Sequence, residues 1–587
     1  MRTSWNLAKF FYSSLDDPRL TRDVVVMKRA YDAFSKKYSR DTSFTTNAGK
    51  LLAALVAYEK LFNIVGPAKP FLYVNYIKEL DAENSAARAK LSALIQEMAP
   101  YENKIIFFSL RLGKISAVNQ KKFLRDKRLA KYRYMLSKIF ETARYDLSEA
   151  EEKILNLKSQ PSHSLWVEGV EKVVNKQTVR FGARDIPINE AIGVVASLPT
   201  QEKRVALQRA IMEKLKVAGD FAESEMNAIV LNKKVSDDLR GFRNPWSATI
   251  LNYQNSEDAI LNLIGTVTRA FPISHRFYAL KKKLLGLPTM TYADRSASLG
   301  RTKRKIPFPE AVERYDAVLE GIDRDYAKIF RRFLADGHVD VYPRVGKSGG
   351  AYCSSNLGSP TLVLLNHTDD FRSFMTLAHE MGHAIHVEMS KTQPPIYQGH
   401  TVSVAETAST LFEQLTFESI FETLSPKEQV VVLHDRINDD VSTIFRQIAF
   451  FNFEKDLHTS VRSRGSLSKE EMAALLSSHM KAYLGPAVSL DPSDGWFFIA
   501  VSHFRRFFYV YAYAYGQLVS KALAEEYKKD RTFGKRIRKF LEAGESKSPE
   551  QIFGDMGIDT TSPGLFARGL KSIERDIDRL ERLTKQR

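Results

Sequence analysis

The stretch Thr376-Leu377-Ala378-His379-Glu380-Met381-Gly382-His383-Ala384-Ile385-His386 restricts this chain more than any other. His379 and His383 are four apart, so on an α-helix their rings stack on one face. Glu380 sits about 100° round the helix, beside such an ion but not obliged to bind it. The pattern supplies two imidazole ligands for zinc and a carboxylate able to work on water at the metal. His386 shares the face of His379. A third ligand on one straight helix lies too far along the axis for the same ion, so His386 reads as a packing or surface residue.

The rest of the chain can house such a helix among others. It has 587 residues, 44% of them hydrophobic, with only 29 Gly and 21 Pro, a balance that favours long helices over loop-rich β architecture. One cysteine, Cys353, excludes an intrachain disulfide and suits a reducing compartment. No signal-type apolar segment follows Met1 and no run of 18 apolar residues occurs, so a cytoplasmic protein with no membrane span is expected. The net charge of +18 gathers at Lys121–Arg133, Arg301–Lys305 and Lys528–Arg538. No nucleic-acid module accompanies these clusters, and they read as solvated helix faces, so a nucleic-acid partner is not expected.

Apolar residues recur at three- and four-residue spacing over Leu20–Tyr38, Lys50–Phe62 and Leu80–Gln96, predicting packed helices in residues 1–110. Lys122–Thr142 reads as one long basic helix, and Ser159–Ser164 as a polar break. A soft boundary is placed near 190, giving an N-terminal helical region (1–110), a second helical segment (111–190) and a C-terminal catalytic segment (191–587). Further helices are expected over Thr200–Val217, Phe221–Val235 and Ser256–Leu284, and one from Pro307 to about Asp336.

Short strands are expected at Gly337–Pro343 and Thr361–Asn366, with Lys347–Cys353 between them. A sheet edge just before the metal helix can pair with a peptide backbone and hold it extended. Gly349, Gly350, Ala351 and Tyr352 are the substrate-binding candidates, the glycines for the close backbone approach they permit.

A catalytic zinc takes three protein ligands and keeps one position open. A third histidine ten residues after the first is ruled out, because position 389 is Met. Glu406 remains, on a second helix whose apolar face is Val404, Ala408, Leu411, Phe412 and Leu415. Glu413 lies on the face of Glu406 and is the candidate for orienting a ligand histidine. Farther on, His503 precedes Tyr509, Tyr511, Tyr513 and Tyr515 at alternate positions. These side chains suit hydrogen-bond donation to an oxyanion, or an ordinary aromatic core.

Gly350-Ala351-Tyr352-Cys353, Thr376 through His383, Val404 through Ser409, and His503 through Tyr511 together resemble oligoendopeptidase F, of the thimet oligopeptidase family, from about residue 190 to 575. Trp5-Asn6-Leu7 and Asp17-Pro18 are similar to that family's opening. The resemblance implies a mostly α, multi-helix, two-lobed peptidase with a deep central cleft and a small β-sheet beside the metal helix. It implies a zinc endopeptidase cutting internal bonds of short unstructured peptides, with one Zn²⁺ per chain held by His379, His383 and Glu406. Glu380 becomes the general base, and His503 with Tyr511 or Tyr509 the transition-state stabilisers. Ser373 departs from the pattern, standing where the family often carries an acidic residue; Asp369 and Asp370 lie near enough to substitute. The rival readings are a zinc exopeptidase of carboxypeptidase or aminopeptidase type and a catalytically idle basic binding protein. No Gly-x-Met-Glu-Asn segment of the aminopeptidase kind is present, and all four residues of the metal site are intact.

Overall fold

Helices dominate the computed structural model, which describes residues 1–300 and 304–585. Residues 301–303 of the Arg301–Lys305 basic cluster lie outside the described residues. The chain forms two compact units that interleave in sequence. The first comprises Met1–Glu149, Arg304–Ser419 and Glu526–Met556; the second comprises Ala150–Lys303, Ile420–Glu525 and Gly557–Arg587. The sequence suggested a linear division at 110 and 190, because a chain that returns to an earlier unit leaves no compositional mark.

In the first unit, helices Pro18–Tyr38, Ala48–Val65, Lys69–Leu80 and Ser85–Asn103 pack around a core of Tyr31, Phe34, Leu51, Leu55, Tyr73, Tyr76 and Phe108. Asn47 caps the second, its side chain accepting from Gly49 and Lys50 N–H, and Asn84 caps the fourth. The predicted Leu80–Gln96 helix is displaced: Leu80 closes one helix, and the next continues through Pro100 to Asn103. The predicted Lys122–Thr142 helix is broken at Asp126, whose carboxylate accepts from Arg128 N–H and starts a new turn. By composition one window within Ala48–Leu80 is long and apolar enough to cross a membrane. That range covers two separate helices, Ala48–Val65 with Leu51, Ala54, Leu55 and Leu61 in the core, and Lys69–Leu80 with Tyr73, Val74 and Tyr76.

The unit's sheet has three short strands, β1 (Val339–Asp340), β2 (Tyr352–Ser354) and β3 (Leu362–Leu364), in the order β1-β3-β2. β1 runs parallel to β3, and β2 antiparallel to it with Cys353 opposite Val363. The two predicted strands are present, and the segment between them, which holds the substrate-binding candidates Gly349 to Tyr352, supplies an edge strand from Tyr352 to Ser354. Trp5 ties this sheet to the N-terminal helices: its indole Nε1–H donates to Val363 O at 2.8 Å, and its ring meets Tyr76 edge-on at 5.1 Å. The predicted helix from Pro307 to Asp336 is two helices, Phe308–Ile322 and Arg324–Asp336, parted by the extended cap residue Asp323.

The second unit is helical, with a hairpin pairing Thr178–Phe181 with Arg184–Pro187 and a two-residue parallel pairing of Met290–Thr291 with Val488–Ser489. Thr200 caps Gln201–Val217, and Gly219–Arg240 follows. The predicted Ser256–Leu284 helix is split at Ala270, before Pro272. The predicted break at Ser159–Ser164 is instead a π-helical turn at Gln160–Ser164, leading into Leu165–Asn175.

Candidate metal centre and peptidase site

The helix carrying the motif is Phe371–Ser390. Asp370 starts it through a capping box: its Oδ1 accepts from Ser373 N–H at 2.8 Å, and Ser373 Oγ accepts from Asp370 N–H. This accounts for Asp370 and Ser373 without a part in metal binding. Phe374, Leu377, Ala378, Met381, Ala384 and Ile385 are fully buried, so the opposite face is where His379 and His383 emerge. The second helix, Val402–Phe421, buries Val404, Ala408, Leu411, Phe412 and Leu415 as the pattern predicts. Gly382 lets the two helices meet: a Cβ there would lie 2.9 Å from Ser409 Cα and 3.2 Å from Phe412 Cβ.

That close approach brings Glu406 to the histidine pair. Its Oε2 lies 3.7 Å from His379 Nε2 and 3.8 Å from His383 Nε2, and the three ligand atoms all fall within 4.8 Å of one another. Ligands in a tetrahedral zinc site with bonds of about 2.0–2.1 Å stand about 3.4 Å apart, so the two Glu406–histidine separations lie within a few tenths of an ångström of that spacing. Two imidazoles and one carboxylate are also the donor chemistry of a catalytic zinc with an open position. Glu413 Oε2 stands 3.1 Å from His379 Nδ1, which orients that ring with Nε2 toward Glu406.

The electrostatics follow from burial and these neighbours. Burial pushes the Glu380 carboxyl up to about 7; His379 opposes that, Glu406 and Glu413 add to it, and the Cys353 backbone favours the charged form. Burial alone would lower His379, but the hydrogen bond and charge of Glu413, followed by Glu380 and Glu406, carry it to about 9. His383 falls to about 3 through burial and the charges of His379 and His400. Without metal, Glu413 therefore favours the charged form of His379, while burial favours the neutral forms of His383 and Glu380.

His379, Glu380, His383 and Glu406 line a cavity of about 670 Å³, together with Ala351, Tyr352 and Cys353 of the edge strand segment. Gly349 and Gly350 lie outside this lining. Gly350 turns the chain into the strand at φ +76°, with its carbonyl and that of Ser348 accepting from Asn366 Nδ2. The cavity also exposes Lys391, Gln398 and His400, which sequence reasoning passed over because no motif marks them. His386 is buried, its ring 3.8 Å from that of His400 and 5.3 Å from Phe540, consistent with a packing role.

His503, Tyr509 and Tyr511 belong to the second unit. His503 Nδ1 is hydrogen-bonded to the Tyr509 hydroxyl, and Tyr513 donates to Tyr509 at 3.5 Å. Burial, then Tyr513, raises the Tyr509 phenol, so it stays protonated and donates to Nδ1. Burial and the charges of Arg446 and Arg506 lower His503, leaving a neutral ring whose Nε2–H is available. Tyr511 is different. It is fully buried and donates its hydroxyl to Asn255 Oδ1 at 3.1 Å, as a core tyrosine does. Alternation alone could not separate the two, because the helix Tyr511–Lys529 begins between them and resets the period.

The model of peptidase family M3 matches residues 194–572, and that described as oligopeptidase F matches residues 112–168. Oligopeptidase PepF of Bacillus subtilis is 26% identical over 99% of this chain and 87% of its own length. An oligoendopeptidase F homolog of Borreliella burgdorferi is 26% identical over 86% of this chain and 87% of its own. Among solved structures, a putative peptidase from Chlamydophila abortus superposes with a TM-score of 0.83 at 22% identity, covering 99% of this chain and 98% of that one. Oligoendopeptidase-F from Enterococcus faecium gives 0.70 at 18% identity, over 97% and 98%. With the family model spanning well over half its length, the chain belongs to peptidase family M3 and is a metalloendopeptidase of the oligoendopeptidase F kind.

Proposed function

We propose that this metallopeptidase of oligopeptides is a zinc enzyme that cuts internal bonds of short, unstructured peptides. The observation that carries the reading is the convergence of His379, His383 and Glu406 in one cavity with Glu380 and an open sheet edge. His379, His383 and Glu406 would hold the ion. When bound, zinc supplies Lewis acidity toward a carbonyl oxygen and lowers the pKa of a water.

Glu380, buried beside the ligands, takes the proton from the attacking water and returns one to the leaving amine. Its raised affinity for protons suits both halves of that cycle. Glu413 keeps the His379 ring in its ligating orientation. Cys353 lies opposite Val363 on an edge strand, and its backbone faces Glu380, so β2 can offer main-chain groups to an extended peptide. The matched sequence block supports a role in turnover for His503 with Tyr509, as a donor toward an oxyanion, while the burial of Tyr511 and its bond to Asn255 favour a core role for that residue. A donor of this kind is worth about 10²- to 10³-fold in rate. The lone free cysteine is compatible with a reducing, cytoplasmic setting.

Chelation tests the metal. Dialysis against a strong zinc chelator should abolish cleavage of a fluorogenic peptide, and one equivalent of zinc should restore it. Full activity in metal-free protein would reject the reading.

A further inference from the structure

The segment that carries His503 and Tyr509 is held in a conformation its own sequence does not favour. Phe507 has φ +49° and Phe508 φ +62°, two successive bulky residues in the left-handed region that glycine occupies readily and phenylalanine does not. Such a backbone persists only where its surroundings over-determine it.

Those surroundings are specific. On the helix Arg446–Arg464, the fully buried Glu454 accepts the Phe508 N–H on Oε1 at 2.8 Å. Its other oxygen, Oε2, is buried with no hydrogen-bond partner among the described residues, so the carboxyl makes this one bond at a full cost in desolvation. His458, one turn on, is fully buried against both rings, 5.2 Å from Phe507 and 4.8 Å from Phe508. The Phe507 carbonyl accepts from Thr249 Oγ1 at 2.9 Å. Upstream, Arg505 is fixed by a two-pronged bond to buried Glu225 at 2.8 and 2.7 Å, and by donation to the Phe498 and Val501 carbonyls. The chain between His503 and Tyr509 is thus clamped at Arg505, Phe507 and Phe508. Glu454 is the only one of these groups that holds a left-handed residue by its N–H.

Resting on the reading that His503 and Tyr509 act in turnover, we propose that Glu454 is a positioning residue, setting the His503–Tyr509 pair through the Phe508 backbone. Among the described residues the one hydrogen bond of the Glu454 carboxyl is to the Phe508 N–H, so its effect on the pair passes through the chain.

The test is a mutant set in the full-length, zinc-loaded enzyme: H503A, Y509F, E454M, E454Q, and E454M combined with Y509F. Methionine keeps the volume and removes the acceptor; glutamine keeps a carbonyl acceptor. E454M should lower kcat about 10- to 100-fold with KM within about twofold, the size of effect that misplaced catalytic groups produce. E454Q should recover most of that loss, and zinc content should stay at one per chain in both. Y509F should add little to E454M, because both act through one pair. If H503A and Y509F themselves leave kcat unchanged, the underlying reading fails. If those two are impaired while E454M turns over like wild type, or the E454M and Y509F effects multiply, the positioning role is overturned. An E454M that does not fold assigns Glu454 to core packing and overturns it equally.

Discussion

Glu413 lies outside the proposed ligand set, yet its contact with His379 at 3.1 Å bears on the protonation of that ring. By raising His379 to about 9, it gives the metal-free protein a proton that an unfolded histidine would hold only below about 6.5. The stabilisation from that proton is fully present below pH 6.5 and is lost as pH rises through 9. Zinc must expel the same proton, so uptake at pH 8 should release about one proton and apparent affinity should climb with pH up to about 9. Calorimetry in two buffers of different ionisation enthalpy measures this. Glu413→Gln should reduce the release at pH 8. Above pH 9, where the proton is off in both proteins, it should weaken zinc about 10- to 100-fold through loss of ring orientation. Unchanged affinity above pH 9 would remove Glu413 from the site. That His379 and His383 share one helical face, and Glu406 and Glu413 another, was legible in the sequence, since helical spacing fixes it; that the two faces meet rested on the resemblance. The choice between Tyr509 and Tyr511 was not legible, because it depends on which phenol the fold buries.

Two elements carry the site, the histidine helix and the Val402–Phe421 helix, and Gly382 is where they meet. Gly382→Ala would place a methyl 2.9 Å from Ser409 Cα, an overlap with backbone that no side-chain rotation relieves. Overpacking of this kind costs about 1–3 kcal/mol, and here it pushes Glu406 away from the histidines. The variant should melt several degrees lower and bind zinc more weakly; wild-type values for both would show that the contact is slack. The helices were readable because their apolar stripes are regular. The breaks at Asp126, Ala270 and Asp323 were missed, because one capping residue interrupts an otherwise continuous stripe. The edge strand Tyr352–Ser354 was hidden for a related reason. Three residues are too few for a period, and only pairing with Leu362–Leu364 makes them a strand.

The whole molecule is built by a chain that leaves the first unit at residue 149, returns at 304, leaves again after 419 and returns at 526. The metal-binding unit therefore needs its N-terminal helices. Trp5 donates to Val363 and Tyr76 bonds to Ser354, so residues 1–110 brace the sheet beside the cavity. A fragment spanning 191–587, the catalytic segment that a linear reading isolates, should fail to fold into a zinc-binding species by circular dichroism and metal analysis. A folded fragment with one zinc would contradict the interleaved architecture. The net charge has a local explanation at several clusters: Arg128 pairs with Asp126, Lys131 with Glu59, and Arg538 with Asp323 and Asp325. Surface pairs of this kind contribute little stability, and because the total of +18 already counts both members of each pair, they neutralise charge locally without lowering that total.

The central claim is that Glu380, beside a His379–His383–Glu406 centre, drives hydrolysis of internal peptide bonds. The direct measurement is mass spectrometry of a ten-residue peptide blocked at both ends, incubated with wild type and with Glu380→Gln at equal zinc content. Wild type should yield two fragments, each keeping one blocked end, and the variant should cleave at least about 10²-fold more slowly, the scale of a lost general base. An uncut peptide with wild type, or wild-type cleavage by Glu380→Gln, would contradict it.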